Sequence, residues 1–142
     1  KSLVRAMADL AIEELIHLKQ VLKLMQAKDI QLANDVKDSY IKDIRSVFRH
    51  GKEVFFLDRL LVAAVIEARG HERFSLVGQA LEEGEDKEFY IAIAESEEKH
   101  KNLFVELAYE YFEKTEVDLR LEEILIAEGK ICEKLPFRAA LH

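Results

Sequence analysis

The chain has 142 residues, 49% of them hydrophobic and 35% charged, with a formal net charge of -7. That length and apolar content suit a single domain with a sizeable core, while the acidic balance excludes a protein that coats nucleic acid over its whole surface and leaves room for a local basic patch. A lone cysteine, Cys132, excludes an internal disulfide and suits a reducing cytoplasm; the longest apolar run, near Leu60 to Ile66, is too short to span a bilayer, and nothing resembles a signal peptide.

From Lys1 to about Lys28 the apolar positions are Leu3, Met7, Leu10, Glu14, His17, Val21 and Leu24. Steps of three and four put them on one helical face, with Glu14 and His17 interrupting it. The helical pattern is already running at Lys1, which leads us to expect that the sequence begins inside a longer protein. Asp29 to Asp38 is polar and irregular, with Asn34 and Asp35 as turn formers. Ser39 is the expected cap of a short helix with apolar positions Ile41, Ile44, Val47 and Phe48, and Gly51 suits its C-terminal end. Lys42, Arg45, Arg49 and Lys52 lie on or beside this helix, either as a solvated face or as a patch that meets phosphate.

A third helix is expected from about Val54 to Leu81, with the face Leu57, Leu60, Ala64, Glu67, His71 and Phe74. Gly70 and Gly78 weaken it slightly, as close packing or a local distortion would explain. Glu82 to Asp86 reads as a turn into a fourth helix, whose face is Tyr90, Ile93, Glu97, His100, Phe104, Leu107 and Tyr111. A last helix runs from about Asp118 to Glu133, with Leu121, Ile124, Leu125 and Ile131 inward, and Pro136 ends it. The tail Phe137 to His142 reads as irregular. No strand-like alternation competes, so the expected class is all-α.

Three long helices thus each place a carboxylate in the middle of an apolar face, and two of them add a histidine three residues later on the same face. Buried charges are costly unless paired or bound to metal. Packed antiparallel, such helices bring Glu14, His17, Glu67, Glu97 and His100 to one level of a bundle core. That is the carboxylate-bridged di-iron or di-manganese pattern of ferritin-like bundles, and oxygen-rich ligation with one imidazole per metal favours iron or manganese over zinc. The bland alternative is a metal-free bundle cross-braced by buried Glu-His pairs. His71 reads as a satisfied core histidine or one that supports a ligand, Glu72 lies off the face of Glu67, and His50 and His142 read as surface residues. The pattern also needs a second lone glutamate. Glu122, Glu123 and Glu128 lie on a mainly outward face, so a preceding helix is the better source, and the expected fold is a ferritin-like antiparallel bundle, one domain over residues 1–142, lacking its first core helix.

Several segments resemble the bacterial tRNA hydroxylases called MiaE: Glu13-Glu14-Leu15-Ile16-His17 continuing to Met25-Gln26-Ala27, Asp58-Arg59-Leu60, Ile66-Glu67-Ala68-Arg69, Glu72-Arg73-Phe74, and Ser96-Glu97 with Lys99-His100. The likeness extends from about Leu10 to Leu135-Pro136-Phe137. Glu-x-x-His is common to ferritin-like di-iron proteins, whereas the Glu67 to Phe74 segment is more particular. The resemblance implies a non-haem di-iron monooxygenase that hydroxylates the isopentenyl group of 2-methylthio-isopentenyladenosine in tRNA. It implies dioxygen and an external electron donor or reductase as partners. Its ligand order, Glu, Glu-x-x-His, Glu, Glu-x-x-His, is matched here by all but the first; His71 stands where a small residue is expected. Substrate tRNA would need cations, for which Arg45, Arg49, Lys52, Arg69 and Arg73 are the candidates. The prenylated base would have to leave its stack to reach the metal. Two further readings stay open: a ferritin-like protein that oxidises and stores iron or reduces peroxide, and a metal-free helical interaction module.

Overall fold

A computed structural model describes residues 3–34 and 36–136. The expectations for Asp35 as a turn former, for the helical start at Lys1, and for the tail Phe137 to His142 with its surface His142 lie outside these residues. Every regular element among the described residues is helical, as the period of three and four requires. Among the described residues no helix is long and apolar enough to cross a membrane. The chain divides into two compact units, Lys1–Lys37 and Asp38–His142.

The first unit holds helix α1, Leu3–Ala27, followed by residues 28–34 and 36–37 without regular structure. Of the expected face, Leu3, Met7, Leu10, His17 and Leu24 are half-buried, while Glu14 and Val21 are exposed. A second apolar face, Val4, Leu15, Leu18 and Leu22 flanked by Ile12 and Ile16, is exposed. The helix stops through hydrogen bonds from Asp29 N–H to the Gln26 carbonyl and from Ile30 N–H to the Met25 carbonyl. Asp29 takes the left-handed conformation, φ 55°, that this closure needs. Aspartate tolerates that region better than most residues.

The second unit begins with α2, Ser39–Ile44, and a single 3-10 turn, Arg45–Val47. Its cap is Asp38, whose side chain accepts from Tyr40 N–H at 2.8 Å, and not Ser39, which is the first helical residue. Tyr40 and Ile44 are buried, while Ile41, Val47 and Phe48 are half-buried. Gly51 does not close this helix. With φ 118° it stands immediately before α3, Lys52–Ala80, because only glycine takes that angle without a Cβ penalty.

Helix α3 and helix α4, Glu85–Tyr111, form an antiparallel hairpin. Phe56 near the start of α3 meets Tyr111 at the end of α4, and Phe74 near the end of α3 meets Tyr90 near the start of α4. Gly78 sits where a Cβ would come within 3.1 Å of the Ile91 side chain, so the glycine permits the close packing that its position in a helix suggests. Helix α5, Lys114–Cys132, begins four residues earlier than expected. It runs parallel to α3: Arg120 reaches Asp58, and Glu128 reaches Arg69 farther along both helices. Ile124 and Val117 are fully buried, but Leu125 is exposed rather than inward. The inward face of α5 also carries Arg120, Glu128 and Cys132, and Leu125 is rotated off it. Leu57, Leu61, Leu107, Val117 and Ile124 make the centre of this core, each worth roughly 1.5–3 kcal/mol when fully buried.

Candidate metal centre

On α4 the residues Ile93, Glu97, His100, Phe104 and Leu107 are all buried, so the carboxylate and the imidazole do interrupt an apolar face. Glu97 is 8% exposed and His100 3%. Their separation of three residues brings Glu97 Oε2 to 3.9 Å from His100 Nδ1, the stacking expected of side chains on one helical face. Across the hairpin, Gly70 lets the Glu97 side chain lie on the backbone of α3. A Cβ on Gly70 would stand 3.5 Å from Glu97 Cγ and 3.6 Å from its Oε2. Glu67, one turn before Gly70 on α3, is half-buried. A carboxylate and an imidazole, Glu97 and His100, thus lie buried on the α4 face, with the half-buried Glu67 one turn before the glycine that faces Glu97. Anionic oxygens and an imidazole nitrogen, protected from water, form a donor set that fits iron or manganese.

Gly70 yields a sharp expectation. A methyl group at this position makes ordinary van der Waals contact with Glu97, so Gly70→Ala should keep metal binding and add about 0.5–1 kcal/mol of stability through helix propensity. Gly70→Val would press on the carboxylate and weaken metal uptake. Thermal unfolding together with metal titration of the two variants checks this.

The segment Glu67 to His71 is held from both sides. Arg69 Nη1 donates to Glu128 Oε1 at 3.2 Å and to Cys132 Sγ at 2.8 Å. Its guanidinium lies 4.7 Å from the centre of the Tyr40 ring. The Cys132 thiol donates to Glu128 Oε1 at 2.9 Å. Burial, then the Glu128 hydrogen bond, pushes the Cys132 thiol up to about 11. Burial and the same carboxylate raise the Tyr40 hydroxyl above its ordinary range. Cys132 should consequently react with a thiol reagent near neutral pH on the order of a hundredfold more slowly than a free thiol. Timed labelling of the native chain against small-molecule cysteine measures this, and a free-thiol rate contradicts it. On the other side, His71 Nδ1 is 2.8 Å from the Ala94 carbonyl oxygen of α4. His71 is thus a satisfied histidine between helices, one of the two roles its position suggests.

A second buried carboxylate went unread in the sequence. Asp58, 0% exposed, accepts from Arg49 backbone N–H at 2.7 Å, from Arg49 Nη2 at 2.8 Å, and from Arg120 Nε at 2.8 Å and Nη2 at 2.9 Å. Arg120 Nη2 also donates to the Val47 carbonyl at 2.8 Å. Burial alone would raise the Asp58 carboxyl, but the hydrogen bonds from Arg120 and Arg49 outweigh it and hold it below its ordinary value. The visible signal was an aspartate set among Leu57, Leu60 and Leu61.

Within α1, Glu14 Oε2 lies 3.7 Å from His17 Nδ1, with side chains 48% and 17% exposed. Arg45 and Lys52 are exposed and Arg73 is half-buried. Arg49 is tied to Asp58, and the Arg69 side chain is 10% exposed and tied to Glu128. Each of these two answers a carboxylate of its own fold, with the Arg49 side chain still 38% exposed. Glu72, Glu122 and Glu123 are exposed, as is His50, whereas Glu128 faces Arg69 and not outward.

A sequence model described as "tRNA-(MS[2]IO[6]A)-hydroxylase (MiaE)" matches residues 1–142. A Pseudomonas putida protein named tRNA 2-(methylsulfanyl)-N(6)-isopentenyladenosine(37) hydroxylase is 33% identical over 129 residues, which are 91% of this chain and 62% of that protein. A Salmonella typhimurium protein of the same name is 31% identical over 132 residues, 85% of this chain and 48% of the relative. The chain therefore spans roughly half to three fifths of the length of these relatives. Among solved structures, "Protein 43 with aldehyde deformylating oxygenase activity from Synechococcus" matches with a TM-score of 0.90 at 33% identity, covering 97% of this chain and 69% of that one. The fold is ferritin-like and all-helical.

Proposed function

From the premise that this chain belongs to the MiaE family, with a match over residues 1–142, we propose that it is a di-iron hydroxylase of the isopentenyl group of 2-methylthio-isopentenyladenosine in tRNA. The match over the full chain carries this reading; the buried Glu97 and His100 supply the chemistry it needs. Glu14, His17, Glu67, Glu97 and His100 would hold the metals, iron in the first place and manganese as the alternative. A bound di-iron pair supplies the activation of dioxygen, with electrons from an external donor. Glu67 and Glu97 offer anionic oxygens along the α3–α4 seam, and His100 offers a nitrogen beside Glu97. The buried Ile93 and Phe104 flank Glu97 and His100 along α4, apolar surroundings that would keep water away and suit a prenyl group.

Phosphates of the tRNA would meet the exposed Arg45 and Lys52, with Arg73 nearer the core. Arg49 and Arg69 would serve by holding the scaffold behind them. The prenylated adenosine would swing out of its stack to enter, and the cellular setting is the cytoplasm, where tRNA is modified.

The test is to incubate the iron-loaded protein with tRNA carrying 2-methylthio-isopentenyladenosine, dioxygen and a reducing system, then digest and weigh the nucleosides. Gain of one oxygen atom on the modified adenosine is the expected result. Unchanged nucleoside with oxygen consumption indifferent to tRNA would point instead to iron oxidation or peroxide reduction.

A further inference from the structure

His71 stands four residues after Glu67 and next to Gly70, on the stretch of α3 against which the Glu97 side chain lies. Its ring crosses the seam to α4, where Nδ1 is 2.8 Å from the Ala94 carbonyl oxygen. A carbonyl only accepts, so Nδ1 carries the hydrogen and donates it. Ala94 is buried and lies one turn before Glu97 on the same face of α4. A carbonyl oxygen has two lone pairs, so Ala94 can keep its place in the helical hydrogen-bond ladder and accept the imidazole as well. Two contacts one turn apart therefore register α4 against α3: the imidazole on Ala94 and the close approach of Glu97 to Gly70. Rotation or sliding of α4 that would redirect the Glu97 carboxylate breaks the first contact.

We propose that His71 is a positioning residue for Glu97, its Nδ1–H bond to Ala94 setting the direction in which the carboxylate meets a bound metal. This rests on the reading of Glu97 as a metal ligand. Outer groups that orient ligands in this way typically contribute 10–100-fold to metal affinity.

The two amide residues separate the atoms of the imidazole. In His71→Asn the side-chain N–H stands close to where Nδ1 stood and can still reach Ala94, whereas in His71→Gln the amide extends to the Nε2 position. Both substitutions keep a polar side chain of moderate size in a half-buried place. The measurement is titration with Co(II), a spectroscopic substitute for iron, following both affinity and the visible ligand-field bands, with thermal unfolding alongside. His71→Asn should keep affinity within about threefold of the parent chain with the same bands. His71→Gln should bind 10–100-fold more weakly with altered bands. A purely structural role would lower the unfolding temperature and leave the bands of the bound metal unchanged in both variants, which overturns the proposal. Retention by His71→Gln and loss by His71→Asn makes Nε2 the working atom and also overturns it, as does loss in both. No Co(II) uptake by the parent chain overturns the metal reading itself, and the positioning role with it.

Discussion

Replacing Asp58 with alanine should destabilise the chain by about 3–5 kcal/mol, the usual cost of breaking a buried ion pair from one side. Removing the carboxylate leaves the guanidinium groups of Arg49 and Arg120, and the Arg49 backbone N–H, without the acceptor they share. Three parts of the second unit meet there: the 3-10 turn and the loop after it through Val47 and Arg49, helix α3 through Asp58, and helix α5 through Arg120. Loss of the triad therefore loosens the packing of α2 and α5 on the hairpin as well as one contact. The pH dependence has a definite sign. The folded carboxyl lies below its ordinary value, so its contribution is fully present above the unfolded value of about 3.9 and is lost as pH falls through the folded value. Urea unfolding at neutral pH and at successively lower pH measures both effects. The Asp58→Asn chain should show the smaller acid sensitivity, and an Asp58→Ala chain as stable as the parent would contradict the role given to the triad.

Glu97 should behave in the opposite way. Glu97→Gln keeps the shape of the side chain against Gly70 and removes its charge. Metal affinity is then expected to fall by at least the roughly 10–100-fold that losing even an outer-shell partner costs, and tRNA hydroxylation should fall with it. The metal-free variant should be as stable as the metal-free parent or more so, because a buried carboxylate has been replaced by a neutral group of equal size. The two carboxylates are both buried on the α3–α4 hairpin, yet one is satisfied by arginines of the fold and the other lies beside an imidazole. Stability without metal and affinity for metal should move in different directions for Glu97. A Glu97→Gln chain that unfolds as readily as Asp58→Ala would mean that this carboxylate braces the bundle.

Much of this was legible from spacing. The faces of α3 and α4 follow the steps of three and four except at Tyr111, which is exposed where α4 ends, and Glu97 with His100 is buried where the period put it. The class was readable for the same reason, since long amphipathic helices with few breakers leave little choice of architecture; the family likeness was carried instead by particular segments, above all Glu67 to Phe74. Helix ends were less legible, because they depend on local hydrogen bonds. Asp38 caps in place of Ser39, and Gly51 opens α3 instead of closing α2. Tertiary pairing was not legible at all. Arg49 and Arg69 look in sequence like any surface cation, and only the fold reveals Asp58 and Glu128 opposite them. Leu125 and Glu128 exchange their expected places because a buried arginine makes a glutamate the better neighbour on that face of α5.

The most direct measurement is iron per chain, by elemental analysis after anaerobic loading with ferrous iron and desalting. A carboxylate and histidine centre of the di-iron type predicts about two irons per chain. No retained iron, or many irons per chain, would contradict it.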